Sequence, residues 1–302
     1  MYDDIMVPLD GSTFAEAALP LALTLARKTG AALHLVTVIE PVPAFAYEDW
    51  ESDASEWVRE YLENAVERVS THHGGEVTLT HERGDVVDSL ETQAKARNAD
   101  VVVMATHGRG MLSRVWLGSV ADGFLHRTTR PVIMVRPEED QEPPSLDRES
   151  SFRKLLVPLD GSDLSESALE HATEFGALFD TSYHLVRMVA YPHDLASPYV
   201  PHTTQMNQNI LREATKAAEE YLDSRAERMR RRGLQVTTSV TVDAQAGHGI
   251  LVEAESVGCD AIAMATHGRT GVSRAILGSA ADKVLRGTHL PVLLYRPGDV
   301  PG

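Results

Sequence analysis

Two Rossmann-like domains, each a five-stranded parallel sheet between helices, are the α/β fold that this 302-residue chain predicts, on three observations. Short apolar runs suited to buried strands alternate with stretches of helical spacing, as in a parallel sheet covered on both faces. The alternation runs twice. Val7-Pro8-Leu9-Asp10-Gly11-Ser12 returns letter for letter as Val157-Pro158-Leu159-Asp160-Gly161-Ser162, and residues 104–122 (MATHGRGMLSRVWLGSVAD) return as 264–282 (MATHGRTGVSRAILGSAAD). The length itself suits two domains of ordinary size.

In the first repeat, DIMVPL at 4–9 is the first strand. Ser12 or Thr13 caps a helix whose Ala17, Leu21 and Leu25 recur at helical spacing, and Gly30 ends it. ALHLVTVI at 32–39 is the second strand, followed by an amphipathic helix over 56–70 with Val58, Leu62, Val66 and Val69 on one face. EVTLTHE at 76–82, a helix over 86–97, DVVVMA at 100–105, a helix over 119–127 and PVIMV at 131–135 complete the unit. Right-handed crossovers make this a doubly wound layer. The closing PVIMVRP at Pro131 matches PVLLYRP at Pro291, and these apolar fifth strands read as sheet edges that need covering.

Early matches between the repeats are offset by 150 positions and later ones by 160, already so at Glu60-Tyr61-Leu62 and Glu220-Tyr221-Leu222. The insertion therefore falls in 191–209, YPHDLASPYVPHTTQMNQN, whose prolines and polar residues mark a surface loop. Residues 137–151 are acidic and proline-rich with almost nothing to bury, which suits a linker. The domains so drawn are 1–137 and 152–302, joined by 138–151.

A formal charge of -16, from 28 basic and 44 acidic residues, disfavours nucleic acid and anionic membrane as partners. The start lacks a basic segment followed by an apolar one, and no apolar run approaches the roughly 20 residues of a membrane span, so a cytoplasmic protein is expected. The single cysteine, Cys259, cannot form an internal disulfide, which suits a reducing compartment, and it reads as a buried apolar residue without a role.

In doubly wound sheets ligands bind at the carboxyl ends of strands, where strand order reverses. Asp10 finishes the first strand there, and ATHG follows the fourth. Gly108, Gly110 and Gly118 allow a loop to bring main-chain N–H groups against an anion. Gly118-Ser119 then opens a helix, whose unpaired N–H groups and dipole attract phosphate, with the Ser119 hydroxyl as a further donor. Arg109 and Arg114 add cationic forks to an acidic chain, which favours a small phosphorylated ligand over a polynucleotide. A few charge-assisted hydrogen bonds at about 1.5–3 kcal/mol each, less ordering costs, correspond to micromolar binding. Neither a P-loop nor a GxGxxG after the first strand is present, and no nucleophile elbow is seen. Asp10 has a second reading, as a cap of the first helix or a brace for its own turn. His107 and His267 lie outside any ligand cluster and read as loop-holding residues, and Arg127 and Arg130 as solvated cations at a helix end.

These motifs resemble the ATP-binding branch of the universal stress proteins. Pro-x-Asp-Gly-Ser follows the first strand at Pro8 and again at Pro158. Gly108, nine residues and Gly118-Ser119 fit the family's G-x2-G-x9-G-[ST] pattern, as do Gly268, nine residues and Gly278-Ser279; Ala105 and Ala265 replace its first glycine. The resemblance covers both halves apart from the linker and the insertion. It implies one ATP per repeat, held in the first by Pro8, Asp10, Val38, Ala105, Thr106, Gly108, Arg109, Gly118, Ser119 and Val120. In the second it implies Pro158, Asp160, Met188, Ala265, Thr266, Gly268, Arg269, Gly278, Ser279 and Ala280. The backbone of Val38 and of Met188 is implied to meet adenine, and Asp10 and Asp160 to face ribose or a phosphate-bound Mg or Mn ion. The resemblance further implies a regulatory or protective role in stress, pairing of the two halves through their fifth strands into a pseudo-dimer, and association of two chains. Two rivals stay open: a slow ATP hydrolase or phosphotransferase with Asp10 and Asp160 holding metal, and a nucleotide-free interaction scaffold.

Overall fold

The computed structural model describes residues 2–40, 50–107, 117–137, 143–191, 203–266 and 277–296, with the backbone alone at 50–55 and 203–205. The first repeat contributes β1 (Asp4–Pro8), α1 (Thr13–Glu16), α2 (Leu19–Thr29), β2 (Ala32–Ile39), α3 (Trp50–Ser70), β3 (Val77–Arg83), α4 (Val86–Ala96), β4 (Val101–Ala105), α5 (Ser119–Arg127) and β5 (Val132–Val135). The second contributes β6 (Lys154–Pro158), α6 (Asp163–Ala177), β7 (Ser182–Val189), α7 (Thr203–Arg231), β8 (Val236–Val242), α8 (Ala246–Ser256), β9 (Ala261–Ala265), α9 (Ser279–Gly287) and β10 (Val292–Tyr295).

By contact the chain forms two compact units, one over 1–151 that also takes in 289–302, the other over most of 152–288. In the first unit the strand order is β3-β2-β1-β4-β5-β10. All its neighbours within the first repeat run parallel, and β10 joins β5 antiparallel through Val292↔Met134 and Leu294↔Val132. The β5 edge is thus covered. In the second unit the order is β9-β6-β7-β8, all parallel. Strand order reverses between β1 and β4 and again between β6 and β9, so right-handed crossovers place α2 and α3 on one face and α4 and α5 on the other, with α6 and α7 opposed to α8 and α9 in the same way. The central strands are apolar throughout because both faces are covered: Ile5, Met6, Val7, Val101, Val102 and Val103 are fully buried.

Three departures from the sequence reading have physical causes. The first helix is broken into α1 and α2 at Ala17 and Ala18. Pro20 cannot donate to the Glu16 carbonyl, so the chain turns and restarts with proline in the first turn of α2. In the second repeat Glu170 occupies that place and α6 is continuous. Residues 143–151 also bury more than the composition of that stretch suggests. Leu146 is buried, its carbonyl accepts from Arg27 at 3.2 Å, and the Ser150 N–H donates to Thr24 Oγ1 at 2.9 Å. Finally, α7 starts at Thr203, so the end of the 191–209 stretch is helix; residues 192–202 lie outside the described residues.

Candidate functional site

Strand register brings the predicted residues together. Pro8 pairs with Val36 and Met6 with Val102, so two and four residues further on Asp10 lies level with Val38 and with Thr106. In the second unit Pro158 pairs with Val186 and Leu156 with Ile262, which sets Asp160 level with Met188 and Thr266. Neighbouring strands lie about 4.8 Å apart, so each trio lies across the carboxyl ends where strand order reverses.

The turn after β1 is built by short-range hydrogen bonds. Gly11 adopts φ 81, a left-handed conformation that glycine takes without strain. Asp10 Oδ1 accepts from the Ser12 N–H at 2.9 Å and from the Ser12 hydroxyl at 2.6 Å, while Ser12 Oγ caps α1 by accepting from the Ala15 N–H at 3.2 Å. The second repeat reproduces each part. Gly161 has φ 84, Asp160 Oδ1 accepts from Ser162 at 2.9 and 2.6 Å, and Ser162 Oγ accepts from the Ser165 N–H at 3.3 Å. Asp10 and Asp160 therefore brace their turns, while the capping that the sequence also allows to Asp10 falls to Ser12, and in the second repeat to Ser162, because each aspartate is engaged in orienting that serine.

The helix after the fourth strand starts against that strand's end. The Gly118 N–H donates to the Thr106 carbonyl at 2.8 Å, and Gly278 to Thr266 at 2.8 Å. A Cβ on Gly118 would sit 3.2 Å from that carbonyl oxygen, so a side chain crowds the junction. No side chain caps α5 or α9, and Ser119 and Ser279 are exposed at their first positions. The first-turn N–H groups therefore have no side-chain acceptor from the cap, which suits an incoming anion. Val120 and Ala280 follow, half-buried, and Ala105 and Ala265 are buried at the ends of β4 and β9. His107 is close to the buried Thr106, with Nδ1 and Oγ1 2.9 Å apart. Gly108, Arg109, Gly110, Arg114, His267, Gly268, Arg269 and Arg274 lie outside the described residues.

Beside each turn is a cluster that sequence reasoning missed. Glu16, 4% exposed in α1, accepts from the Tyr61 hydroxyl at 3.0 Å and from Arg68 at 2.9 and 3.3 Å. Burial pushes the Tyr61 hydroxyl well above its usual range, and the charges of Glu16 and Asp10 push it further. In the second unit Glu166 accepts from Tyr221 at 3.1 Å and from Arg225 Nε at 2.9 Å. Arg225 stands where the first repeat has Ala65, whereas the counterpart of Arg68 is Arg228. The bracket is kept while its arginine comes from a different turn. Repetition of Glu16 at Glu166 and of Tyr61 at Tyr221 was the available signal.

Elsewhere, Arg127 is paired with Asp88. Cys259 is buried, and burial pushes its thiol up to about 11. Among the described residues no group of three metal-ligating side chains occurs, and no helix is long and apolar enough to cross a membrane.

Comparison with known proteins bears on this arrangement. The model of the universal stress protein family matches residues 1–136 and 151–296. A universal stress protein of Mycobacterium tuberculosis is 26% identical over 302 residues, covering 97% of this chain and 96% of its own. One from Methanocaldococcus jannaschii is 29% identical over 149 residues, 49% of this chain and 84% of its own. The crystal structure of a universal stress protein from Archaeoglobus fulgidus shares the fold at a TM-score of 0.73 and 21% identity, over 98% of each chain.

Proposed function

The chain belongs to the universal stress protein family, whose domain it carries twice, and from that premise we propose that it binds ATP, one molecule per repeat, in a regulatory or protective role. The observation that carries this reading is the duplicated junction at the strand reversal. There the Asp10 turn, the level of Val38 and the uncapped start of α5 converge on Thr106, and Asp160, Met188 and α9 converge likewise on Thr266. The N–H groups of each helix start hold phosphate oxygens, with the Ser119 or Ser279 hydroxyl adding a donor. The backbone at Val38 or Met188 meets the base. Thr106 and Thr266, tied to the helix starts through their carbonyls, keep strand end and helix start in register.

A divalent ion brought in by the phosphates would neutralise part of their charge and would need few protein ligands. Asp10 and Asp160, level with the phosphate-facing junctions, are the carboxylates that would hold it. Each already orients a serine that caps the next helix, so these residues position the turn whether or not the ion is present.

Equilibrium dialysis of the full chain at micromolar ATP tests the reading. Two nucleotides per chain are expected, and failure to bind at either repeat overturns it.

A further inference from the structure

The two repeats differ at the turn that leads from the third strand of each unit into the following helix. In the first unit Gly84 opens that turn, its N–H donating to the Ile39 carbonyl at 3.1 Å. Its φ is 150, and a Cβ there would approach the Ser89 hydroxyl at 3.2 Å. In the second unit Asp243 occupies the same place, its N–H donating to the Val189 carbonyl at 3.1 Å. Gly249 then stands in α8 where Ser89 stands in α4. The exchange is reciprocal: the side chain has moved from the helix to the strand end, and a carboxylate replaces a hydroxyl.

That carboxylate is held in place and lies next to Met188. Asp243 Oδ1 accepts from the Gln245 N–H at 2.7 Å, and Oδ2 lies 2.8 Å from His248 Nδ1. These bonds, the Gln245 one first, hold the Asp243 carboxyl below the usual carboxylate range, so it is ionised at neutral pH. The point where a Gly249 Cβ would sit is 2.6 Å from Met188 Sδ and 3.4 Å from Asp243 Oδ2. Any side chain at 249 would therefore displace the Met188 sulfur, and it would crowd the Asp243 Cβ at 3.1 Å. Glycine at this position lets the sulfur and the carboxylate converge, on the residue whose backbone is proposed to meet the base.

We propose that Asp243 determines base specificity at the second nucleotide site, accepting a hydrogen bond from the amino group of adenine and disfavouring bases that present a keto oxygen there. The inference rests on the nucleotide reading above and adds to it that the two sites are unequal. A carboxylate accepts but cannot donate, so hypoxanthine, with oxygen in place of the amino group, meets repulsion. The first repeat offers only Gly84 at this place and discriminates less.

Calorimetric titration of the full chain with ATP and with ITP tests this, on the natural chain and on Asp243→Asn. An amide keeps an oxygen for the Gln245 N–H and can donate to a keto oxygen. One of the two natural sites is expected to bind ITP at least about tenfold more weakly than ATP, the size of one lost charge-assisted hydrogen bond. In Asp243→Asn that preference falls severalfold at the one site and is unchanged at the other. Adding Gly118→Val, which obstructs the first junction, identifies the altered site as the second. Should Asp243→Asn melt early, Asp243→Ser is read instead, since its hydroxyl still accepts from Gln245. Two ATP per chain with an unchanged ITP preference in the variant overturns this inference alone; no ATP at either site overturns the nucleotide reading with it.

Discussion

His34 and His184 occupy matching positions in the second strand of each repeat, and their partners differ. Each ring places Nδ1 2.7 Å from a threonine hydroxyl, Thr78 or Thr237. His184 Nε2 further meets Ser239 at 2.9 Å and Glu253 at 3.0 Å, whereas the first repeat has Gln93 in place of Glu253. Burial, aided by Arg97, lowers the His34 pKa from 6.5 to about 4. A depressed histidine pKa means that the unfolded chain takes up the proton first, so stability falls as pH drops from 6.5 towards 4 and levels off below. His34→Asn is expected to remove about 2 kcal/mol of the stability lost between pH 7 and pH 5. Urea midpoints at the two pH values measure it, and an equal loss in both chains contradicts it. Glu16 provides a second case. Replacing it by alanine leaves the Tyr61 hydroxyl without its acceptor, while Arg68, 40% exposed, recovers water. Glu16→Ala should cost about 2 kcal/mol in urea unfolding.

At the scale of elements, the proposed nucleotide sites rest on the helix starts, and their fit depends on atoms that glycine lacks. Gly118→Ala places a methyl 3.2 Å from the Thr106 carbonyl oxygen and moves the first turn of α5 outward. The expected result is roughly tenfold weaker ATP binding at one site, about 1.4 kcal/mol, with the other unchanged; calorimetry on the variant separates the two. Elements of this kind were legible in the sequence because β1, β4 and their copies are near-continuous apolar runs and because the Asp10 and Gly118 motifs recur in order. What stayed hidden depended on partners distant in the chain. The break between α1 and α2 turns on Pro20, whose effect a helical pattern of Ala17, Leu21 and Leu25 conceals. Docking of 146–150 rests on Leu146 and on main-chain groups, which composition does not register. The arginine of the Glu166 bracket comes from 225 rather than from 228, the counterpart of Arg68, so alignment of the repeats does not reveal it.

For the molecule as a whole, the position of β10 matters most. This strand ends the second repeat in sequence yet clusters with the first unit, lying along β5. The Arg296 guanidinium adds a hydrogen bond to the His126 carbonyl. A chain ending at Thr288 would leave β5 as an open apolar edge, and light scattering after size exclusion should show it forming larger assemblies than the full chain does. The same arrangement constrains biosynthesis. The sheet begun by Asp4 waits for the strand that covers β5 until translation has passed Tyr295, on the order of ten seconds after Val135 emerges at about 5–20 residues per second. During that interval the nascent first half exposes a sticky border, so a ribosome paused within the second half leaves behind a fragment predisposed to capture by chaperones or to coalescence.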